Sequence, residues 1–482
     1  MDELPQLLIA GRNWTFWLGW VWTVSSVVLT TWIVLQRKSP VSTLAWIMVL
    51  NLLPVLGLLI YAYFGPQRIK RQRLRRWHQR AALLSREDVN ALRAGQPDVP
   101  PWVRLHARLI QAASGIAMSS AHSVTLLPSG GATLDALLAE IEAARDHVHL
   151  EYYIFEPDEV GTRIRDALIE RAEAGVAVRV LLDAVGSASV SRSFLRPLRR
   201  AGAEVVFFHP VQLLRIKSLV NLRTHRKIVV IDGLVGFTGG FNVTADQDPR
   251  HRADAYRDTH VRITGLAVRW LQIVFLEDFS YATGRYLAPG PECFPFVEQA
   301  PRHRVQIIPS GPYGAWEPIR DQYFAAIAGA KERVLVTTPY FVPDDPIRVA
   351  LVTAAQRGVQ VSILVPRRGD SWLVTFAARS YFDELLAAGA RIYEYDIMIH
   401  AKTLVVDDEY CAVGTANIDA RSFRLNFEVT AVFYSRELTA RVAAAFERDL
   451  ARSVEVLAHA RGKLSFGERL CEAASRLWSP LL

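Results

Sequence analysis

The chain has 482 residues, of which 51% are hydrophobic and 22% are charged, so the composition indicates a folded protein rather than a disordered one. The formal net charge of +8 would suit either a nucleic acid or an anionic membrane as partner. Residues 1–80 contain ten basic and two acidic residues, which leaves the remaining 402 residues neutral overall. This distribution argues against a basic nucleic-acid groove in the main body. Three scattered cysteines argue against a disulfide framework or a zinc site.

The N-terminal segment, residues 1–66, predicts a hairpin of two transmembrane helices. Residues 13–36 carry no charge, and a helix of that length extends roughly 36 Å, enough to cross a bilayer. A second charge-free run occupies residues 39–67, so we expect spans at about 14–36 and 41–64. A cleaved signal peptide has a shorter apolar region and no second span, and buried core helices are rarely charge-free for so long.

A basic juxtamembrane linker at residues 67–100 follows the hairpin. Between Arg68 and Arg80 it holds seven basic residues and no acidic one. The positive-inside rule then places this side of the hairpin in the cytoplasm, although Arg37 and Lys38 argue weakly for the reverse. The sequence therefore predicts a multi-pass membrane protein whose later domains are cytoplasmic. The linker could also attract anionic lipid headgroups.

The rest of the chain alternates short β-rich runs with amphipathic helices, and it does so twice. Pro128-Ser129-Gly130 recurs as Pro309-Ser310-Gly311, and other matching segments are also separated by roughly 180 residues. We therefore expect an α/β fold with two duplicated domains, at residues 101–290 and 302–482. Each domain is predicted to contain a mostly parallel sheet flanked by helices. The catalytic site of a duplicated domain usually lies between its halves.

One motif occurs once in each half, in register with the repeat. Residues 225–232 and 400–407 both read His-x-Lys-x4-Asp. Because alternate residues of an extended chain share a face, each lysine should lie beside its histidine. Each aspartate stands at an odd offset and at a turn, so we expect it to hold the strand end rather than to touch substrate. The candidate catalytic residues are His225, Lys227, Asp232, His400, Lys402 and Asp407.

Two histidines beside two lysines suit the attack on a phosphodiester. One imidazole would attack phosphorus to form a phosphohistidine, and the other would protonate the leaving alkoxide. The lysines, with Asn242 and Asn417, would neutralise charge on the phosphoryl oxygens. The residues alone do not say which histidine is the nucleophile. No cofactor or metal is expected, because no carboxylate cluster offers a metal a site.

Each histidine also needs a partner to fix its tautomer. The candidates are Asp258, which lies 33 residues after His225, and Glu428, which lies 28 residues after His400. The alternative for either carboxylate is a salt bridge at the surface.

The paired motifs resemble the phospholipase D superfamily, and the flanking segments resemble its bacterial cardiolipin synthases. The matching segments include Asn221–Lys227, Gly239–Asn242, Arg257–His260, Gly414–Phe423 and Leu425–Val429. The resemblance implies that a phosphatidyl group passes from one phosphatidylglycerol to a second, with release of glycerol. It also implies that His225 is the nucleophile and His400 the acid/base, in an enzyme of the bacterial inner membrane.

Several alternatives stay open at the level of sequence. A phospholipase D hydrolase would use water as the acceptor, and some related synthases use phosphatidylethanolamine as the donor. A nuclease is disfavoured by the neutral body, and an inactive scaffold by two intact motifs. The sequence indicates no oligomeric state. The stretch from Leu464 to Leu482 looks amphipathic, and it could lie on a membrane or pack against the second domain.

Overall fold

The computed structural model describes residues 4–36, 40–53, 56–58, 60–61, 99–210, 221–287, 289–296 and 302–482. Packing divides the chain into two units, Met1–Gln67 with Gln212–Asn221, and Arg68–Val211 with Leu222–Leu482. The basic linker predicted at residues 67–100 lies outside the described residues except for Val99 and Pro100.

The first unit contains two helices that pack against each other, α1 (Leu4–Leu35) and α2 (Pro40–Leu52). The rings of Trp32 and Trp46 meet the ring of Tyr61 edge-on, with centroids 5.7 and 5.0 Å away. Among the residues that the structure describes, no helix is both long enough and apolar enough to cross a membrane. The two predicted spans are therefore not confirmed, and part of the second lies outside the described residues.

The strands of the second unit form two large sheets and one small one. In chain order they are β1 (Ser119–Ala121), β2 (Ser123–Leu127), β3 (His147–Tyr152), β4 (Ala177–Asp183), β5 (Glu204–Phe208), β6 (Ile228–Ile231), β7 (Val235–Gly239), β8 (His260–Thr264), β9 (His303–Ser310), β10 (Arg333–Thr337), β11 (Phe341–Val342), β12 (Gln360–Pro366), β13 (Arg391–Tyr395), β14 (Thr403–Val406), β15 (Tyr410–Gly414), β16 (Ile418–Asp419), β17 (Glu428–Tyr434) and β18 (Ser453–Glu455).

Helices separate these strands and cover the sheets. They are α3 (Pro101–Ser114), α4 (Gly130–Ala143), α5 (Glu159–Glu173), α6 (Arg192–Arg200), α7 (Val268–Thr283), α8 (Pro318–Gly329), α9 (Asp345–Gln356), α10 (Trp372–Arg379), α11 (Phe382–Ala387), α12 (Ala420–Arg424), α13 (Arg436–Leu450), α14 (Ala458–Arg461) and α15 (Phe466–Arg476). Short 3-10 turns span Ala245–Gln247 and Pro291–Cys293.

The duplication predicted from the sequence is visible in the order of the strands. The first sheet runs β2-β8-β7-β6-β3-β4-β5, and the second runs β1-β9-β17-β15-β14-β10-β12-β13-β18. The core of each repeat is therefore the same, with β8-β7-β6-β3-β4-β5 matching β17-β15-β14-β10-β12-β13. Local signals repeat as well, since Asp158 and Asp344 cap equivalent helices at their N-termini. Each repeat has its own hydrophobic core.

The prediction of mostly parallel sheets was wrong. Among the described strands, two pairings of the large sheet in each repeat are parallel, β3-β4 and β4-β5 in the first, β10-β12 and β12-β13 in the second. The other pairings are antiparallel, because the motif strands β6 and β14 turn back directly into β7 and β15. A tight turn of this kind can only produce an antiparallel neighbour. The alternation of helices and strands in the sequence predicts only the part of each sheet whose parallel strands are connected through helices.

The first described part of the second unit, residues 99–121, belongs structurally to the second repeat. Strand β1 pairs antiparallel with β9, and Val103 and Ile110 of α3 join the hydrophobic core of the second sheet. The first sheet begins only with β2 at Ser123. The predicted first domain, residues 101–290, includes this segment. The sequence gives no periodic signal that β1 pairs with β9, a strand much later in the chain.

Candidate active site

Both motif histidines lie immediately before a central strand, where each is joined to the other repeat. The backbone N–H of His225 donates to the carbonyl of Phe427 at 2.9 Å, and that of His400 donates to the carbonyl of Arg257 at 2.6 Å. These two bonds are equivalent under the duplication. The motifs therefore meet at the junction of the two repeats, as the sequence predicted.

A carboxylate of the second repeat orients the histidine of the first. The Nδ1 atom of His225 lies 3.0 Å from both carboxylate oxygens of Glu428. Glu428 is fully buried and also accepts hydrogen bonds from the Thr415 hydroxyl and the Asn426 amide. When Nδ1–H donates to this carboxylate, Nε2 of the neutral ring is left with a lone pair.

The reciprocal arrangement holds His400. Its Nδ1 atom lies 2.7 Å from Oδ2 of Asp258 and 3.2 Å from Nε2 of Gln247, both of which belong to the first repeat. Asp258 and Glu428 were expected as partners of the histidines that precede them in sequence. In the structure both carboxylates hydrogen-bond histidines, but the partners are exchanged, because each histidine reaches across the junction rather than along its own sheet.

The two lysines are buried next to their histidines. Lys227 Nζ donates to the carbonyl of His225 at 2.8 Å, and Lys402 Nζ donates to the carbonyl of His400. Burial and the proximity of Lys402 lower the pKa of Lys227 to about 7, while burial lowers the pKa of Lys402 to about 8. Two buried ammonium groups in one place favour an anionic ligand, which would restore both to the charged form.

The electrostatic environment keeps the histidines neutral. Burial, followed by the charges of Lys227 and Lys402, lowers the pKa of His225 well below its usual value. Burial and Lys402 lower the pKa of His400 to about 4, against the opposing effect of Asp258. Since Lys402 belongs to the second repeat and His225 to the first, both repeats contribute to one electrostatic site.

The two carboxylates differ in their own ionisation. Burial raises the pKa of Glu428 to about 7, although Lys227 and the hydrogen bonds to its oxygens oppose the shift. Burial would also raise the pKa of Asp258, but His400 and Lys402 reverse the effect and lower the pKa below its ordinary value. Asp258 therefore stays ionised at neutral pH, whereas Glu428 gains or loses its proton near pH 7.

The motif aspartates lie at the opposite end of the motif strands. Asp232 accepts hydrogen bonds from the backbone N–H groups of residues 145, 146 and 147, and Asp407 does the same for residues 331, 332 and 333. Both aspartates have a positive φ, 52° and 50°, which fits the turn that ends each strand. Their geometry matches the expectation that they hold the strand end, and it places neither beside the histidines.

The two asparagines lie in the return segments and are nearly fully buried. The side-chain Oδ1 of Asn242 accepts from the backbone N–H of Ile154, and the backbone N–H of Asn242 donates to Gln247 Oε1 at 2.8 Å. The backbone N–H of Asn417 donates to Ser422 Oγ at 3.2 Å. The structure thus places both asparagines in the return loops, and their contact with a phosphoryl group stays a prediction.

Three contributors were not recognised from the sequence. Gln247 bridges Asn242 and His400, Tyr153 stacks edge-on against His225 with ring centroids 5.0 Å apart, and Arg226 is fully buried inside the motif. The Arg226 guanidinium binds Asp278 of the first repeat and the carbonyls of Ser310 and Glu428 of the second. Arg226 lies between two motif residues that are themselves buried, which could have signalled a buried link, but nothing near Gln247 or Tyr153 in the sequence marks them.

The described residues include no group of histidine, cysteine, aspartate and glutamate side chains that could hold a metal ion. They do bring together two imidazoles, two buried lysines and two carboxylates that hydrogen-bond the imidazoles.

Comparison with known proteins agrees with this arrangement. The profile of a family described as cardiolipin synthase, PLD-like domain, matches residues 137–251 and 323–450, and one described as phospholipase D-nuclease N-terminal matches residues 19–66. A cardiolipin synthase of Geobacillus kaustophilus (strain HTA426) is 39% identical over 479 residues, 97% of this chain and 95% of the relative. Cardiolipin synthase 1 of Bacillus anthracis is 38% identical, over 96% of this chain and 94% of the relative.

A solved structure shares the fold. The phosphatidylserine synthase of Haemophilus influenzae Rd KW20 superposes with a TM-score of 0.59 at 14% sequence identity, covering 78% of this chain and all of that one. The near full-length relatives and the two matched PLD-like segments establish the family. The chain is an enzyme that belongs to the bacterial cardiolipin synthases of the phospholipase D superfamily.

Proposed function

We propose that the enzyme makes cardiolipin from two molecules of phosphatidylglycerol and releases glycerol. The observation that carries the proposal is the reciprocal orientation of His225 by Glu428 and of His400 by Asp258. It directs the Nδ1–H of each ring toward a carboxylate. The Nε2 atom of each ring is then available to attack phosphorus or to transfer a proton. The named activity of the relatives supports the same reaction class.

In the first half-reaction, Nε2 of His225 attacks the phosphorus of one phosphatidylglycerol. A P–N bond forms as the P–O bond to the glycerol headgroup breaks. The departing alkoxide takes the Nε2 proton of a protonated His400, whose imidazolium form is stabilised by the bound anionic phosphodiester and by Asp258. Lys227 and Lys402 compensate the charge that grows on the non-bridging oxygens. The assignment of His225 as nucleophile follows the family resemblance.

In the second half-reaction, the terminal hydroxyl of another phosphatidylglycerol loses its proton to Nε2 of His400. The resulting oxygen attacks the phosphohistidine, the P–N bond breaks, and the phosphatidyl group is now joined to the second lipid. Asn242 and Asn417 are proposed to donate to the phosphoryl oxygens in both steps. No metal takes part in the proposed sequence.

The proposed setting is the bacterial inner membrane, with the catalytic repeats on the cytoplasmic side. The support is the pair of uncharged runs before residue 67 and the seven basic residues that follow them. Such an enzyme would meet both of its lipid substrates at the surface of the bilayer.

Product analysis tests the proposal. The purified enzyme is incubated with phosphatidylglycerol in mixed micelles containing EDTA, and the expected result is cardiolipin and glycerol in equal amounts. Phosphatidic acid as the only product would contradict the synthase reaction and favour a hydrolase. Added phosphatidylethanolamine should release no ethanolamine, and its release would instead identify that lipid as the donor.

A further inference from the structure

The last helix of the chain, α15, has its polarity reversed relative to an ordinary surface helix. Its inward side carries Glu472 and Ser475, which are 6% and 3% exposed. Glu472 forms a two-point ion pair with Arg461, with both N–O distances at 2.7 Å. A helix that covers a soluble domain normally buries its apolar side instead.

The outward side of α15 is apolar. It consists of Phe466, Leu470, Ala473, Ala474 and Leu477, which recur at intervals of three and four residues and are all exposed, and we call it the α15 face. Phe466, Leu470 and Leu477 are 81%, 55% and 80% exposed. These side chains stay exposed although α15 also packs along α10.

Charge and aromatic residues border the α15 face. Lys463, Arg469 and Arg476 flank it, and Trp478, which is 53% exposed, ends it. The acidic side chains nearby are already bound, Glu472 to Arg461 and Glu468 to the Ser465 N-cap. An apolar stripe with a basic border and a terminal tryptophan is the pattern of a helix that lies in a membrane interface.

The α15 segment is fixed to the catalytic body at its end. The hydroxyl of Tyr381 donates to Ser479 at 3.0 Å, and the backbone N–H of Arg421 donates to the carbonyl of Leu482 at 2.9 Å. Arg421 belongs to α12, four residues after Asn417 of the candidate site. A surface that holds α15 would therefore also hold the segment that carries Asn417.

We infer that the α15 face is a docking surface for an anionic lipid bilayer. The identification of a lipid bilayer as the partner of this face rests on the proposed function, since the phospholipid substrates reside in that bilayer. The apolar side chains would enter the headgroup boundary while the exposed Lys463 and Arg469 contact lipid phosphates. This docking adds a contact with the membrane within the catalytic body itself.

Depth-dependent quenching tests the docking directly. The full chain carrying Cys471→Ser and Leu470→Cys is labelled with an environment-sensitive fluorophore, since Cys293 and Cys411 are buried. It is reconstituted in vesicles of phosphatidylglycerol and phosphatidylcholine that include a lipid with a nitroxide on its acyl chain. The matched control is Leu234→Cys, an exposed leucine at the turn after β6, at the opposite end of that strand from His225.

The expected result is quenching of the label at position 470 about threefold stronger than at position 234. Equal quenching at the two positions would overturn the inference. A label at position 470 that resists lipid quenching and is also shielded from aqueous iodide would show a second copy of the chain on this face, which would overturn it too.

Kinetics provide a second readout. The double variant Leu470→Glu/Leu477→Glu should raise the apparent KM for micellar phosphatidylglycerol about tenfold at constant kcat, because only surface binding is weakened. Leu234→Glu is the control and should leave KM unchanged.

Quenching does not depend on turnover. Strong quenching without cardiolipin formation would reject the proposed function alone, and turnover without quenching would reject the docking surface alone.

Discussion

The buried carboxylate of Glu428 provides a test in which activity and stability move in opposite directions. Glu428→Gln keeps the shape of the side chain but removes the charge that the Nδ1–H of His225 faces at 3.0 Å. Loss of one such charge-assisted contact in a buried site costs about 3 kcal/mol at the transition state, or about a hundredfold in kcat. The assay is the initial rate of cardiolipin formation at saturating phosphatidylglycerol.

Stability should increase in the same variant. Burial raises the pKa of Glu428 from 4.5 to about 7, so the folded state binds this proton more tightly than the unfolded state does. The stabilisation from that proton is complete below pH 4.5 and is lost as the pH rises through 7. The loss amounts to about 3 kcal/mol, which glutamine avoids because it does not ionise.

The thermal midpoints of the variant and the wild type are compared at several pH values in the same detergent. Between pH 4.5 and 8, the thermal midpoint of the variant should rise relative to that of the wild type, while the kcat of the variant stays below that of the wild type. A kcat within about threefold of the wild type would refute the role of Glu428 in orienting His225. A difference in midpoint that does not change with pH would refute its raised pKa.

Three further predictions concern the supports of the site. In Gly240→Ala, the added methyl group would collide with the carboxylate of Asp258, so kcat should fall at least about tenfold, whereas Gly329→Ala, which meets no atom within 4 Å, should leave kcat unchanged. In Asp232→Ala, the loss of three backbone hydrogen bonds and the strain of alanine at φ 52° should lower the free energy of unfolding by about 3 kcal/mol, measured by urea denaturation, with KM preserved. In Arg226→Leu, an unpaired buried carboxylate should remain and cost about 3–5 kcal/mol by the same measurement, and an unchanged midpoint would contradict a structural role for this ion pair.

The sequence predicted the histidines and lysines well because their spacing is local. A His-x-Lys pair on an extended segment shares a face whatever surrounds it, and the duplication itself implied that the two pairs would meet. The odd offset of Asp232 from His225 likewise predicted its place at the strand end.

The partners across the junction could not be predicted in the same way. The pairing of His225 with Glu428 spans 203 residues and depends on how the two sheets face each other, which no local pattern encodes. The antiparallel half of each sheet was missed for a related reason. The turn at Asp232-Gly233 is visible in the sequence and returns β7 beside β6, but the antiparallel pairing of β6 with the distant β3 is set by tertiary packing.

The α15 segment shows where local pattern and tertiary context combine. Its periodicity indicated an amphipathic helix but left open whether the apolar side faces the protein or a membrane. The buried pair of Arg461 with Glu472 shows that the polar side faces the protein and that the apolar side faces outward.

The central claim is that one histidine carries the phosphatidyl group while the other moves protons. The most direct measurement traps the covalent intermediate with phosphatidylglycerol labelled with ³²P in its phosphate, followed by denaturing electrophoresis under alkaline conditions that preserve phosphohistidine. His400→Ala should retain label on the protein, because the intermediate forms but is not passed on, and His225→Ala should retain none. Label on the His225→Ala protein, or on neither variant, would contradict the account.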